Sequence, residues 1–166
     1  MSKISTRDPN FHLRLARPED AALVVEFMKK LGAFQKMSDK ITATAERIER
    51  LLLSKHGEAV FGVYAGKMVA FAYFHEKSSA FTGRRGLYID GFFIDQSMRG
   101  KGLGNILMQF LSKDALDRNC EMLEWGCLDW NTTAVDFYQK LGAYRVDSMH
   151  IYRLSPDDLT AAALKF

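Results

Sequence analysis

Residues 87–115 constrain the fold most. Leu87-Tyr-Ile-Asp-Gly-Phe-Phe-Ile94 is apolar on both faces apart from Asp90 and Gly91, the pattern of a central strand. Gly91 interrupts that run, and glycine inside a strand marks a bulge or the close approach of another backbone. Arg99-Gly-Lys-Gly-Leu-Gly104 comes next, and Leu103, Leu107, Phe110, Leu111 and Ala115 then recur at helical spacing. Strand, glycine turn and helix in this order make an anion site. The first helical amides have no intrahelical acceptor, and the helix dipole adds about half a positive charge. Gly100, Gly102 and Gly104 remove side chains that would hold a diphosphate away, while Arg99 and Lys101 add charge. The loop lacks the Gly-Lys-Ser/Thr ending of a P-loop, and its Gly-x-Gly-x-Gly spacing is not the Gly-x-Gly-x-x-Gly of a dinucleotide fold. A connector whose glycines only permit the turn is the remaining reading of the loop alone.

The other elements fall on either side. Residues 12–17 alternate by polarity as a half-buried strand, and Pro18-Glu19-Asp20 opens a helix that carries Leu23, Phe27, Met28 and Leu31 up to Gly32. Residues 42–53 form a second amphipathic helix. Residues 59–65 and 68–76 read as strands joined by a tight turn at Gly66-Lys67. Residues 122–129 supply another strand, and Asn131 caps a helix that ends at Gly142. Tyr144 to Leu154 reads as a last strand or hairpin, and Ser155-Pro156 begins a short C-terminal helix. The order predicts an α/β (α+β) fold, a mixed, mostly antiparallel sheet of six to seven strands flanked by about four helices. Residues 1–10 are polar and predict a flexible leader, with one domain over 11–166.

Composition narrows the function. Lys plus Arg number 23 against 20 acids, a net charge of +3, with no basic stripe for nucleic acid. No run approaches the ~18 apolar residues of a membrane helix, and the N-terminus lacks a signal-peptide core. Cys120 and Cys127 make no zinc spacing and read as ordinary thiols. No metal and a cytoplasmic location are expected.

Arg99-x-x-Gly102-x-Gly104, after a strand ending Phe92-Phe93-Ile94, resembles the acetyl-CoA motif of the GCN5-related N-acetyltransferase (GNAT) superfamily. Trp130-Asn131-x-x-Ala134-x-x-Phe137-Tyr138-x-x-x-Gly142-Ala143 is similar to that superfamily's second coenzyme motif. Within it, Leu87-Tyr88-Ile89-Asp90-Gly91-Phe92-Phe93 and the stretch from Leu31 to Met37 resemble the diamine (spermidine/spermine) N-acetyltransferase group. The resemblance implies an acetyltransferase that moves the acetyl group of acetyl-CoA to a primary amine by direct attack in a ternary complex. It implies a coenzyme site of Phe92, Phe93 and Ile94 through their backbone, Arg99, Gly100, Lys101, Gly102, Leu103, Gly104 and Asn105, with Asn131, Ala134 and Tyr138.

That chemistry needs a base for the amine, donors for the oxyanion and an acid for the departing thiolate. Asp90, a lone acid in an apolar strand, is the candidate base and a substrate contact; the group resembled carries Glu there. The other reading of Asp90 is a bulge residue bonded to nearby amides. The resemblance makes Tyr138 the acid; a packing aromatic beside Phe137 is the alternative. Gly91 replaces an acid of the group and Phe34 a tyrosine, so the substrate site including Phe34 offers fewer polar handles to a long polyamine. A diamine or a lysine-like amino acid such as thialysine then becomes plausible beside a polyamine. Glu76, Glu124, Asp129 and Asp136 remain as possible acids, and His75 lies on a strand that could face the cleft. The group forms homodimers, and the apolar stretch Leu159 to Phe166 would suit such an interface. A relative acting on a protein or antibiotic amine, and a non-catalytic acyl-CoA binding module, are the alternatives.

Overall fold

The Val-, Phe- and Tyr-rich stretch of residues 58–94 becomes the centre of a six-stranded sheet in the computed structural model, which describes residues 3–165. The chain divides into two compact units, residues 1–128 and residues 129–166. The first holds β1 (Ile4–Ser5), β2 (Phe11–Leu15), β3 (Glu58–Tyr64), β4 (Lys67–Ser79), β5 (Arg84–Ile94) and β6 (Met122–Trp125), adjacent in that order. All neighbours are antiparallel except β5 and β6, which run parallel. Three helices accompany them: α1 (Ala21–Phe34), α2 (Ala45–Leu53) and α3 (Leu103–Asp117).

Local chemistry explains most boundaries. Pro18–Asp20 forms a short 3-10 turn before α1, and the helix runs through Gly32 to Phe34 instead of stopping at the glycine. Gly32 is there for packing, since a Cβ would meet Ile41 Cγ1 at 2.7 Å. Thr44 caps α2 by accepting from the Arg47 amide at 3.3 Å. The β3–β4 turn is Ala65-Gly66, one residue before the expected place; both have positive φ, 46° and 82°, as a two-residue type I′ hairpin requires. Within the leader expected to be flexible, Ile4 and Ser5 pair with Leu13 and His12, and Thr6 Oγ1 donates to the Phe11 carbonyl at 2.6 Å. Met1 and Ser2 of that leader lie outside the described residues.

The core forms on both faces of the sheet. Phe61, Phe71, Tyr73 and Phe93 face α1 and α2 and cluster with Val24, Phe27, Ile48 and Leu52. The Phe27 ring stacks on Phe71 at 5.4 Å and meets Phe61 at 5.6 Å. Fully burying a ring of this size contributes about 2–3 kcal/mol, so these aromatics hold α1 against the sheet. Strand alternation turns Ala70, Ala72 and Phe74 to the opposite face; α3, running against β4 and β5, covers it with Leu103, Leu107 and Leu111. Arg14 is a buried charge in β2. It donates to both Asp20 oxygens at 2.7 and 3.0 Å and lies 5.1 Å over the Phe61 ring. The Arg14 hydrogen bond holds the Asp20 carboxyl below its ordinary value, against the smaller upward push of burial.

The second unit contains α4 (Thr132–Lys140) and α5 (Pro156–Ala163). Asn131 caps α4 as expected, accepting from the Ala134 amide at 3.3 Å. Gly142, at φ 87°, ends it: its amide donates to Gln139 and that of Ala143 to Tyr138, a Schellman motif. Ser155 caps α5 through the Asp158 amide at 3.1 Å. The strand or hairpin expected over Tyr144 to Leu154 is absent; this stretch is irregular and exposes Tyr144, Ile151 and Tyr152. A strand needs a hydrogen-bonding neighbour, and the described residues of this unit contain no other. Leu159 and Leu164 of the apolar C-terminal stretch are exposed, while Phe166 lies outside the described residues.

Candidate functional site

Two consecutive irregularities in β5 build the centre of the first unit's site. Across the β4–β5 ladder Phe74 faces Ile89 and Tyr73 faces Gly91, so Asp90 is the residue that the ladder skips. A residue added in this way bends the strand. The parallel β5–β6 ladder stops at the same place, its last pair being Ile89 and Trp125, and the strand expected to reach Asp129 ends at Trp125. Beyond residue 89 the two strands no longer pair. Farther along, the Asp95 amide donates to the Val69 carbonyl on the β4 side at 2.8 Å. By alternation Phe93 also turns its amide to β4, whereas Phe92 and Ile94 turn theirs to the opposite edge, which β6 does not pair beyond Ile89. The Phe93 amide therefore points to the β4 edge, and its ring is core.

The glycine loop begins where β5 ends. Asp95 caps a 3-10 turn over Gln96–Met98, Arg99 follows in extended conformation, and Gly100 and Gly102 have φ of 78° and 76°. Those angles, which other residues adopt only with strain, are what the two glycines supply; a Cβ at either would meet nothing within 4 Å. Gly102 is the cap of α3 and offers it no side chain. The first amide to find an acceptor is that of Ile106, on the Gly102 carbonyl at 3.2 Å. Among the described residues, no protein acceptor receives the amides of Leu103, Gly104 and Asn105.

Both loop cations are held by aromatic rings. The Arg99 guanidinium carbon lies 4.2 Å from the centre of the Phe34 ring, and its Nε donates to the Ile94 carbonyl at 3.2 Å. Lys101 Nζ lies 5.3 Å over Tyr64. No carboxylate among the described residues comes within 4.0 Å of either cation. Unpaired amides, two cations without carboxylate partners and a helix N-terminus fit the diphosphate of a nucleotide coenzyme.

The acids sort themselves by partner. Glu76 bonds Arg85 at 2.7 Å, which holds its carboxyl below the ordinary value, and Arg118 stands 3.6 Å away. Glu124 pairs with Lys77, which also lies 5.7 Å over Tyr88. Neither has the unpaired charge expected of a general base. Asp90 is exposed, with no ion pair within 4.0 Å among the described residues. Its charge reaches the Tyr73 hydroxyl, whose pKa is raised first by burial and second by Asp90. That hydroxyl is buried without a hydrogen-bond partner. His75 stands beside Tyr88, ring centres 5.5 Å apart.

In the second unit, the Asn131 side chain and the Ala134 amide are engaged with each other at the start of α4. Tyr138 is half-buried in the last turn of α4, its ring 5.3 Å from that of Phe137. Sequence reasoning missed the rings of Phe34 and Tyr64 as supports of the loop cations. Only the aromatic character of the two residues was visible, since the partners lie 65 and 37 positions away in the chain.

Residues 24–143 match the acetyltransferase (GNAT) family. The chain is 24% identical to thialysine N-epsilon-acetyltransferase of Sus scrofa, covering 92% of this chain and 97% of that protein. It is also 24% identical to spermidine/spermine N(1)-acetyltransferase-like protein 1 of Homo sapiens, over 90% of this chain but 23% of the longer protein. Among solved structures, an integron cassette protein from the mobile metagenome of V. cholerae superimposes with a TM-score of 0.73 at 24% identity, covering 93% of this chain and 98% of that one.

Proposed function

The chain belongs to the acetyltransferase (GNAT) family, and from that premise we propose that it transfers the acetyl group of acetyl-CoA to a primary amine of a small cationic substrate, a diamine, a polyamine or a lysine-like amino acid. The observation that carries this reading is the glycine turn, where Gly100 and Gly102 at positive φ precede three unpaired amides. Acetyl-CoA supplies an activated thioester and a diphosphate anchor. Arg99, Lys101 and the amides of residues 103–105 bind the diphosphate, and the outward amide of Ile94 orients the arm.

An alkylamine of pKa about 10 is almost wholly protonated at neutral pH. Asp90, directly or through a water, takes that proton. The amine nitrogen then attacks the thioester carbonyl carbon and sheds its second proton to solvent, the carbon–sulfur bond breaks, and Tyr138 gives its proton to the departing sulfur. The phenol recovers a proton from solvent. The substrate range is supported by the relatives' names and by the one exposed, unpaired carboxylate at the bulge. Its single charge, with Gly91 beside it, favours a short amine over a long polyamine. A cytoplasmic homodimer completes the reading. The exposed Tyr144, Ile151, Tyr152 and Leu159 support the dimer.

Thiol release from acetyl-CoA, measured against putrescine, spermidine, lysine, thialysine, aminoglycosides and a lysine peptide, tests the proposal. Release with a diamine or a lysine-like amino acid supports it. Release with the aminoglycosides or peptide alone replaces the substrate class, and coenzyme binding without release to any amine points to a binding module.

A further inference from the structure

Phe34 ends α1, where Gln35 closes the last turn and Lys36, at φ 57°, redirects the chain. Its ring lies under the guanidinium of Arg99 at 4.2 Å, while Nε of that arginine is fixed on the Ile94 carbonyl at 3.2 Å. Three separate pieces of the fold, the end of α1, the end of β5 and the glycine loop, thus converge on one side chain. With its carbon over the ring and Nε on the Ile94 carbonyl, the Arg99 guanidinium keeps its two terminal nitrogens as a planar fork. Such a fork matches two oxygens of a phosphate. Unsupported, an exposed arginine loses its rotamer freedom when an anion binds; supported beforehand, it has already lost it.

We infer that Phe34 is a positioning residue for the coenzyme: its aromatic face pre-orients Arg99 toward the diphosphate, and Phe34 belongs to the coenzyme subsite instead of the amine subsite. This rests on the diphosphate reading of residues 99–104. The face of the ring is what matters, so an aliphatic side chain of similar size does not replace it.

Calorimetric titration of the full chain with CoA tests the assignment. Phe34→Leu and Phe34→Ala should each raise the dissociation constant about five-fold, the size expected for an exposed cation on a ring, while Phe34→Tyr restores it. In an Arg99→Ala background the same Phe34 changes should add nothing. Unchanged affinity in Phe34→Leu, or an equal loss with and without Arg99, overturns the positioning role. If Arg99→Ala itself leaves CoA affinity intact, the diphosphate reading of Arg99 fails first and the inference goes with it.

Discussion

Gly57 leaves the space that the Tyr73 hydroxyl occupies: a Cβ at residue 57 would lie 1.8 Å from that oxygen and 2.4 Å from Cζ. Tyr73 in turn faces Gly91 across the bulge that isolates Asp90. The space before β3 and the irregularity in β5 are therefore linked through one buried ring.

Gly57→Ala should destabilise the protein by about 3 kcal/mol, the upper range for overpacking, because the clash falls on a ring in a filled core. Tyr73→Phe removes a buried hydroxyl that has no partner, so stability should hold or rise by about 1 kcal/mol. Urea denaturation of both variants checks the pair. A loss on Tyr73→Phe would show that the hydroxyl is bonded.

Asp90→Asn should move the rate–pH profile to higher pH, since the neutral amine must then come from solution. The measurement is kcat/KM against pH for the best amine in the release assay. An unchanged profile removes Asp90 as the base.

Two exchanges at Gly102 separate strain from charge. Gly102→Ala meets no neighbour, and only its positive φ costs stability, about 1 kcal/mol. Gly102→Asp sets a carboxylate beside the unpaired amides and should abolish CoA binding in a folded protein, as read by circular dichroism and calorimetry together.

Tyr138→Phe should lower kcat about a hundred-fold while leaving CoA affinity within a few fold, the range for losing a general acid. Lost affinity with normal turnover would reassign the residue to binding.

The Arg14–Asp20 pair predicts an acid limb of stability. Asp20 titrates below its ordinary 3.8 in the folded chain. Its contribution is therefore complete above that value and is lost as pH falls through the folded pKa. Asp20→Asn should cost about 3 kcal/mol near neutral pH by stranding a buried arginine, and should flatten the fall in stability below pH 4. Urea unfolding across that range measures both.

Features spelled by consecutive residues were legible in the sequence. The apolar run through Ile94, the glycine spacing after Arg99 and the cap at Asn131 each lie within one short segment, and each became the expected element. Asp90 was visible as a misplaced acid next to a suspected bulge. That it is itself the skipped residue depends on register with Tyr73 and Phe74, which no local pattern encodes. Gly32 misled because it serves a contact with Ile41 within a continuing helix. The strand or hairpin expected over 144–154 needs a hydrogen-bonding neighbour, which the segment's own residues do not encode. The ring of Phe34 beneath Arg99 arises from packing between α1 and the glycine loop and has no signature along the chain.

The parting of β5 from β6 beyond Ile89 and Trp125 presents main chain, not side chains, as its polar edge. Mutation has little purchase there: replacing the Ile94 side chain alters what its methyls touch, yet its N–H keeps its direction. On the proposed reading this edge is the handhold for the acyl carrier, so it would persist through wide sequence drift while selection acted on the side chains around the amine.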